Sequence, residues 1–293
     1  MIVATHQLVK TYGTTTALAG VDLHVERGSV YGMVGRNGAG KTTLLGILSG
    51  LRRPTSGSIE IEIPKDERAT LPDTPQFDRW LTAREVVDLA RTMVDPTVDA
   101  SRVDEVLEQA GLAETARQRV GGYSRGMLQR LGIAATVVAR PKLLLLDEPS
   151  SALDPAGRRE VLDLVERMRG EATVVFSSHI LSDVQEVCDT VGILDHGTLR
   201  FEGTLDELLS GHAAPAYKVR LRPPFDRALA ALGAQAWVQR VDDAGDGTLE
   251  VFVTTLENAE RHLPAVLAGA EARVVSIAPE ATTLEQVFLE VTK

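Results

Sequence analysis

Apolar and polar positions change rhythm several times along the chain, and each change marks an element. Near the start, the short β-like runs Ile2 to Ala4, Gln7 to Lys10 and Ala17 to Leu23 alternate with polar breaks, and Thr11-Tyr12-Gly13 reads as a turn. Val30 to Val34 is continuously apolar, which predicts a strand, and Leu44 to Leu48 predicts a helix that Gly50 ends. A loop at Pro54-Thr55-Ser56-Gly57 leads into the alternating strand Ser58 to Ile63. The period then becomes helical. Val86, Leu89, Ala90 and Met93 recur at that spacing, as do Val103, Val106, Leu107 and Ala110, and a third stripe holds Leu128, Leu131, Ala134, Ala135 and Val138. Residues from about 77 to 140 therefore form a helical insertion whose stripes are expected to be core. Leu143 to Leu146, bounded by Pro141 and Pro149, and Thr173 to Phe176 read as buried parallel strands.

The last part of the chain has a rhythm of its own. Tyr217 to Leu221, Trp237 to Val241, Leu249 to Thr254 and Arg273 to Ile277 read as strands. Phe225 to Leu232, Ala259 to Leu267 and Leu284 to Val291 read as helices, with a hairpin at Asp243 to Gly247. The order β-α-β-β-α-β-α predicts a small ferredoxin-like α+β module. It begins near His212-Ala213-Ala214-Pro215, so the expected domains are 1–211 and 212–293. The module shows no catalytic cluster.

Composition narrows the classes. With 293 residues, 44% hydrophobic and 25% charged, the chain can bury a proper core. A net charge of −10 without a basic block argues against a nucleic-acid partner. No apolar stretch approaches the roughly 18 to 20 residues that cross a bilayer, and the start lacks a basic segment and an apolar signal core. A cytosolic protein is expected, unless a partner carries it to a membrane. The single cysteine, Cys188, is expected to pack with Val184 and Val187 on a helix face. His6, His24, His196, His212 and His262 read as ordinary surface or core residues.

The chemistry starts at Gly35-Arg36-Asn37-Gly38-Ala39-Gly40-Lys41-Thr42-Thr43, between the apolar runs 30–34 and 44–48. Glycines there let backbone N–H groups fold into one concave nest, a seat for phosphate. Lys41 can reach the β- and γ-phosphates, and the Thr42 hydroxyl can ligate Mg²⁺ at a helix start whose dipole favours an anion. This is a Walker A P-loop. Asp147 and Glu148 end an apolar strand, where open α/β sheets bind ligands. Asp147 can hold Mg²⁺, and Glu148 can take a proton from, or orient, an attacking water. His179 ends the strand that includes Thr173 to Phe176, at the same sheet edge. Gly121-Gly122-Tyr123-Ser124-Arg125-Gly126-Met127 opens another helix, with Ser124 or Gly122 as a simple N-cap or as part of a second anion site. Tyr12 can stack on a base or cover the sheet edge.

In this order the motifs resemble the nucleotide-binding subunit of ATP-binding cassette (ABC) transporters, over residues 1 to about 211. The resemblance implies an α/β fold. It would have a P-loop NTPase core with a mostly parallel sheet, an antiparallel β subdomain and the helical insertion, plus the C-terminal module. It implies ATP and Mg²⁺ as ligands. Tyr12 becomes the adenine-stacking aromatic, Ser124 and Gly126 the signature, Asp147 the Walker B aspartate, Glu148 the catalytic glutamate, Ser151 to Asp154 the D-loop, and His179 the switch histidine. The signature departs from Leu-Ser-Gly-Gly-Gln, keeping the serine and second glycine. The linker glutamine position, a further metal-sensing site, falls on Asp73 by counting back from Leu81-Thr82-Ala83-Arg84-Glu85, with Gln76 as the nearest glutamine. Both departures resemble the exporter branch that pairs with a separate multi-spanning permease.

The resemblance further implies a head-to-tail homodimer, or a heterodimer with a related cassette, that closes on ATP and opens after hydrolysis at the cytoplasmic face of the membrane. The alternative is a soluble, non-transport cassette ATPase. A DNA-repair version is disfavoured because no sustained heptads separate Lys41 from Asp147. A ribosomal version would carry basic linkers, and a P-loop kinase would not need Ser124-Arg125-Gly126. The linker from Leu71 to Glu85 holds Phe77 and Trp80, which either meet the permease or staple the insertion to the core.

Overall fold

The polar breaks near the start do not interrupt the strand that contains them. Ile2 to Ala4 and Gln7 to Lys10 contribute to one strand, β1 (Val3–Tyr12), and the chain turns at Gly13-Thr14, one residue later than expected, into β2 (Thr15–Val25). The break is a bulge: pairing slips between Thr5 and Leu8, and Gln7 adopts φ +45. A bulge absorbs an extra residue without ending the strand, so the alternation fails while pairing continues. Next come β3 (Val30–Val34), α1 (Lys41–Leu48) and β4 (Ser56–Ile61), which starts and ends two residues before the predicted run. β2, β1 and β4 form an antiparallel sheet in that order.

The computed structural model describes residues 1–151, 153–212, 215–280 and 284–292, and divides into the units Met1–Leu205 and Asp206–Val291. Ala152 of the expected D-loop and Ala213 and Ala214 of the expected linker lie outside the described residues.

The first unit continues with β5 (Arg68–Leu71), a strand too short for its alternation to register in the sequence. The insertion holds α2 (Ala83–Val94), α3 (Ser101–Gln109) and α4 (Arg125–Val137). Thr82 and Glu85 cap α2 reciprocally, which fixes its start. The α3 stripe of Val103, Val106, Leu107 and Ala110 is buried as expected. On α2 the expectation of core is corrected: Val86 is buried, but Leu89 is 51% and Met93 76% exposed. Periodicity identifies one face of a helix and says nothing of what covers it.

The chain then forms β6 (Leu143–Asp147), α5 (Pro155–Arg167), β7 (Thr173–Ser178), α6 (Leu181–Val187), β8 (Thr190–Asp195) and β9 (Thr198–Thr204). The main sheet has the order β5-β6-β7-β3-β8-β9, with every pair parallel except β8 with β9. Every residue of β3, β6 and β7 is buried, as parallel strands covered on both faces require. The core cluster joins this sheet to the antiparallel one, with Ile2, Leu8 and Leu23 packed with Tyr31, Leu44, Leu145 and Val175. Cys188 is buried beside Val184, and burial pushes its thiol pKa well up, consistent with a packing residue.

From the second residue of α7 (Leu205–His212) onward, the second unit holds β10 (Ala216–Arg222), α8 (Asp226–Gly233), β11 (Val238–Gly245), β12 (Thr248–Val253), α9 (Leu256–Gly269), β13 (Arg273–Glu280) and α10 (Leu284–Val291). The antiparallel order β11-β12-β10-β13 is that of a ferredoxin-like sheet. Val219, Leu249 and Val251 on one sheet face pack with Leu232 of α8 and Leu263 and Leu267 of α9.

One buried charge in the first unit invites a stability test. Asp183 on α6 is fully buried; it accepts from the Ser150 hydroxyl and pairs with Arg158 of α5. Removing the cation leaves the carboxylate buried without its counter-charge, which costs about 3–5 kcal/mol. Arg158→Met is therefore expected to lower the urea midpoint of the first unit by that equivalent, while Arg159→Met on the exposed side of the same helix barely moves it.

Candidate functional site

The site lies where β3, β6 and β7 end together. Asp147 pairs with Ser177 and Val34 with Ser178 in the parallel ladder, so the segments that follow all leave one sheet edge. After β3 the chain wraps through Gly35 to Gly40 into α1. Gly40 has φ +112, and a Cβ there would lie 2.6 Å from the Ala17 carbonyl. A Cβ on Gly35 would overlap the Leu194 carbonyl. Both positions exclude any larger residue, so the loop approaches its neighbours more closely than a side chain permits.

Lys41 is 6% exposed and fully engaged. Its ammonium donates to the Gly35 carbonyl at 2.6 Å and the Arg36 carbonyl at 3.4 Å, and pairs with Glu148 Oε1 at 3.1 Å. Three acceptors thus face the three protons of one cation. The other Glu148 oxygen lies 2.7 Å from His179 Nδ1 and accepts the His179 backbone N–H at 3.3 Å. Glu148 adopts φ +48, which turns its side chain back toward the P-loop lysine instead of continuing the strand. The charge of Lys41 is therefore balanced inside the site by the neighbouring carboxylate.

These residues surround a cavity of about 450 Å³. Its wall includes Asn37, Gly38, Ala39, Gly40, Lys41, Thr42, Thr43, Asp73, Glu148 and His179, all singled out in the sequence. Two more, Ala17 and Ser151, were not singled out as binding residues. Ala17 had no chemical signal, because it lies on β2 and contributes through backbone proximity. Asp73 lines this cavity, whereas Gln76 lines a separate groove with Phe77, Leu89 and Met93. Asp147 sits behind the wall, 6% exposed, with one oxygen accepting the Ser177 hydroxyl at 2.6 Å.

Tyr12 stands at the end of β1, 44% exposed. Arg52 donates to its hydroxyl at 2.8 Å, and Lys10 and Arg52 lie 4.9 and 5.8 Å from the ring centre. Burial by itself would raise the phenol pKa; hydrogen bonds with Arg52 and Thr43 and the nearby cations bring it below the ordinary value. Ser124 caps α4 by accepting the Met127 N–H at 3.2 Å, so Ser124 is the N-cap of that helix. A Cβ on Gly126 would lie 3.7 Å from Leu153, so the start of α4 and the residue before Asp154 are neighbours. Asp154 caps α5 through the Gly157 N–H. Neither Ser124, Gly126 nor Asp154 lines the P-loop cavity. His6, His24, His196 and His262 are exposed, and His212 has no described side chain.

No group of three His, Cys, Asp or Glu is gathered as a metal site among the described residues. Mg²⁺ does not require one, because it takes one or two protein oxygens and completes its shell with phosphate and water. The buried Asp147 carboxylate and the exposed Thr42 hydroxyl are hard oxygen donors of the type it needs. Among the described residues no helix is long and apolar enough to cross a membrane.

Residues 18–151 match the ABC transporter family. The chain is 43% identical over 207 residues to an uncharacterized ABC transporter ATP-binding protein of Bacillus subtilis, covering 69% of this chain and 70% of that protein. It is 34% identical over 295 residues to a daunorubicin resistance ATP-binding protein of Streptomyces coeruleorubidus, covering 97% of this chain and 93% of that one. The solved dimeric, post-hydrolysis state of an ATP-binding cassette bound to ADP and Pi superposes with a TM-score of 0.63 at 25% identity, over 70% of this chain and 99% of that chain. The P-loop geometry and these likenesses agree: the chain belongs to the ABC transporter family, as one of its ATP-binding, ATP-hydrolysing subunits.

Proposed function

We propose that this subunit drives an exporter by binding ATP and Mg²⁺ between two cassettes placed head to tail, against a separate multi-spanning permease at the cytoplasmic face of the membrane. The observation that carries the dimer is the composition of the cavity wall. Lys41, Glu148 and His179 line it, while Ser124 and Gly126 of the same chain do not, so a signature must come from a second copy or a related cassette. The dimeric state of the solved cassette supports the same arrangement. Export is supported by the relative connected with daunorubicin resistance.

In this reading the backbone amides of Gly38 to Lys41 and the Lys41 ammonium hold the phosphates, and Tyr12 stacks on adenine. Thr42 and Asp147 hold Mg²⁺, with Asp73 as the linker residue beside it; the ion neutralises phosphate charge when bound. Because Lys41 is paired with Glu148, a phosphate that takes the lysine releases the carboxylate. Glu148 then orients the attacking water and accepts its proton, and His179 relays the state of the γ-phosphate to the loop that follows β7. Asp154 and its loop carry that change toward the partner cassette. Loss of the γ-phosphate removes the contacts that hold the dimer closed.

The permease is assigned to the groove of about 520 Å³ lined by Phe77, Leu81, Val86, Leu89 and Met93. Phe77 is half-buried in it, and Trp80, three residues further along the chain, is 67% exposed, which favours contact with a partner over stapling the insertion to the core.

Lys41→Ala is expected to weaken ATP binding by about 100-fold or more, because the phosphates lose their mobile cation; calorimetric titration giving an unchanged affinity would refute the phosphate seat. Glu148→Gln should retain ATP, slow hydrolysis by roughly 10² to 10⁴, and accumulate a dimer in ATP and Mg²⁺. A variant that stays monomeric by light scattering, alone and with its permease, contradicts the sandwich. Leu89→Ser combined with Met93→Ser should keep basal hydrolysis and thermal stability while releasing the protein from membranes that contain the permease. Undiminished membrane recovery would move the docking face elsewhere.

A further inference from the structure

Ser177 belongs to no motif used above, yet it touches both carboxylate residues of the site. It is fully buried on β7, directly opposite Asp147 of β6 in the parallel ladder. Register partners in a parallel pair project to the same face, so the two side chains stand side by side. The Ser177 hydroxyl donates to Asp147 Oδ1 at 2.6 Å, and its oxygen accepts the Glu148 backbone N–H at 2.9 Å. A hydroxyl has one proton and two lone pairs, so its only donor is committed to the aspartate.

Both contacts fix something that would otherwise move. Glu148 at φ +48 occupies a left-handed conformation that is unfavourable for a non-glycine residue. The Ser177 oxygen gives its N–H a fixed acceptor in place of water. At Asp147 the hydrogen bond selects one carboxylate orientation. Ser177 also precedes His179 by two residues, with Ser178 ending the strand between them, so displacement of this strand end moves the histidine and both carboxylates together.

We propose that Ser177 is the positioning residue of this site, orienting Asp147 as a metal ligand and holding the backbone of Glu148 in its turned conformation. The proposal rests on the reading of Asp147 and Glu148 given under the proposed function. Outer hydrogen-bond donors to ligating carboxylates are typically worth 10- to 100-fold in metal affinity or activity.

The test uses this whole chain loaded with ADP, with Mn²⁺ as the probe followed by electron paramagnetic resonance. Ser177→Ala should raise the Mn²⁺ dissociation constant by about 10-fold or more and lower turnover by 10- to 100-fold, while ADP affinity in the absence of metal stays unchanged. Ser178→Ala serves as the control, because among the described residues that hydroxyl bonds only the Ile180 backbone, and its Mn²⁺ affinity should equal that of the unaltered protein. Unchanged Mn²⁺ affinity in Ser177→Ala overturns the proposal. So does a matching loss of metal-free ADP affinity, which would mean that Ser177 only packs the strand. Asp147→Asn separates the two readings: if it too binds Mn²⁺ normally, Asp147 is not the ligand and the site assignment itself fails.

Discussion

The parallel pairing of β6, β7 and β3 is the constraint on which the first unit depends. Strands covered on both faces tolerate only apolar side chains along their length, so polar chemistry is confined to their last residues and the loops beyond. Here the ladder aligns those ends: Val34 with Ser178, and Asp147 with Ser177. The P-loop, the two carboxylates and the histidine therefore share one edge, although Gly35 and His179 are far apart in the chain. Leu145 and Val175 at the strand centres are fully buried, and every contact they make fixes the register that brings the ends together.

Electrostatics within that edge follow from the same confinement. Lys41 and Glu148 are nearly withdrawn from water, at 6% and 11% side-chain exposure, and neither charge would be tolerable there alone. Each compensates the other, with two P-loop carbonyls completing the lysine and His179 completing the glutamate. Phosphate is the natural competitor for the lysine because it brings more negative charge than a carboxylate to the same donors. Exchange of partners at Lys41 thus changes the environment of Glu148 at the same moment, through a separation of only 3.1 Å.

The parts of this arrangement that were legible in the sequence are those set by local spacing. Glycines and Lys41 between two apolar runs, or Asp147 and Glu148 at the end of four leucines, need no knowledge of pairing. What depends on pairing was hidden. β5 is four residues long and becomes a strand by joining β6. Ser177 gains its partners only because β7 lies beside β6, and Asp183 is buried only because α5 and α6 bring Arg158 to it. The bulge in β1 broke an alternation that the strand itself kept. On α2, the stripe named the right face while Leu89 and Met93 stayed exposed, since amphipathic spacing is identical for a face that meets the core and one that meets a partner.

The altered signature is best judged from the backbone. Glycine matters where φ is positive or a neighbour approaches too closely, and neither condition holds at positions 125 and 126. Both residues lie in the first turn of α4, neither is among the described residues with positive φ, and a Cβ on Gly126 would make only an ordinary contact with Leu153. Arg125 therefore costs the helix no backbone strain; its one penalty is a cation in the first turn, opposed to the helix dipole by about 0.3–1 kcal/mol. Ser124 meanwhile uses one lone pair to accept the Met127 N–H, and a cap of this kind does not use the hydroxyl's own proton. What the chain has given up at position 125 is small size on an exposed surface, so the substitution changes what meets the surface and leaves the helix that presents it intact.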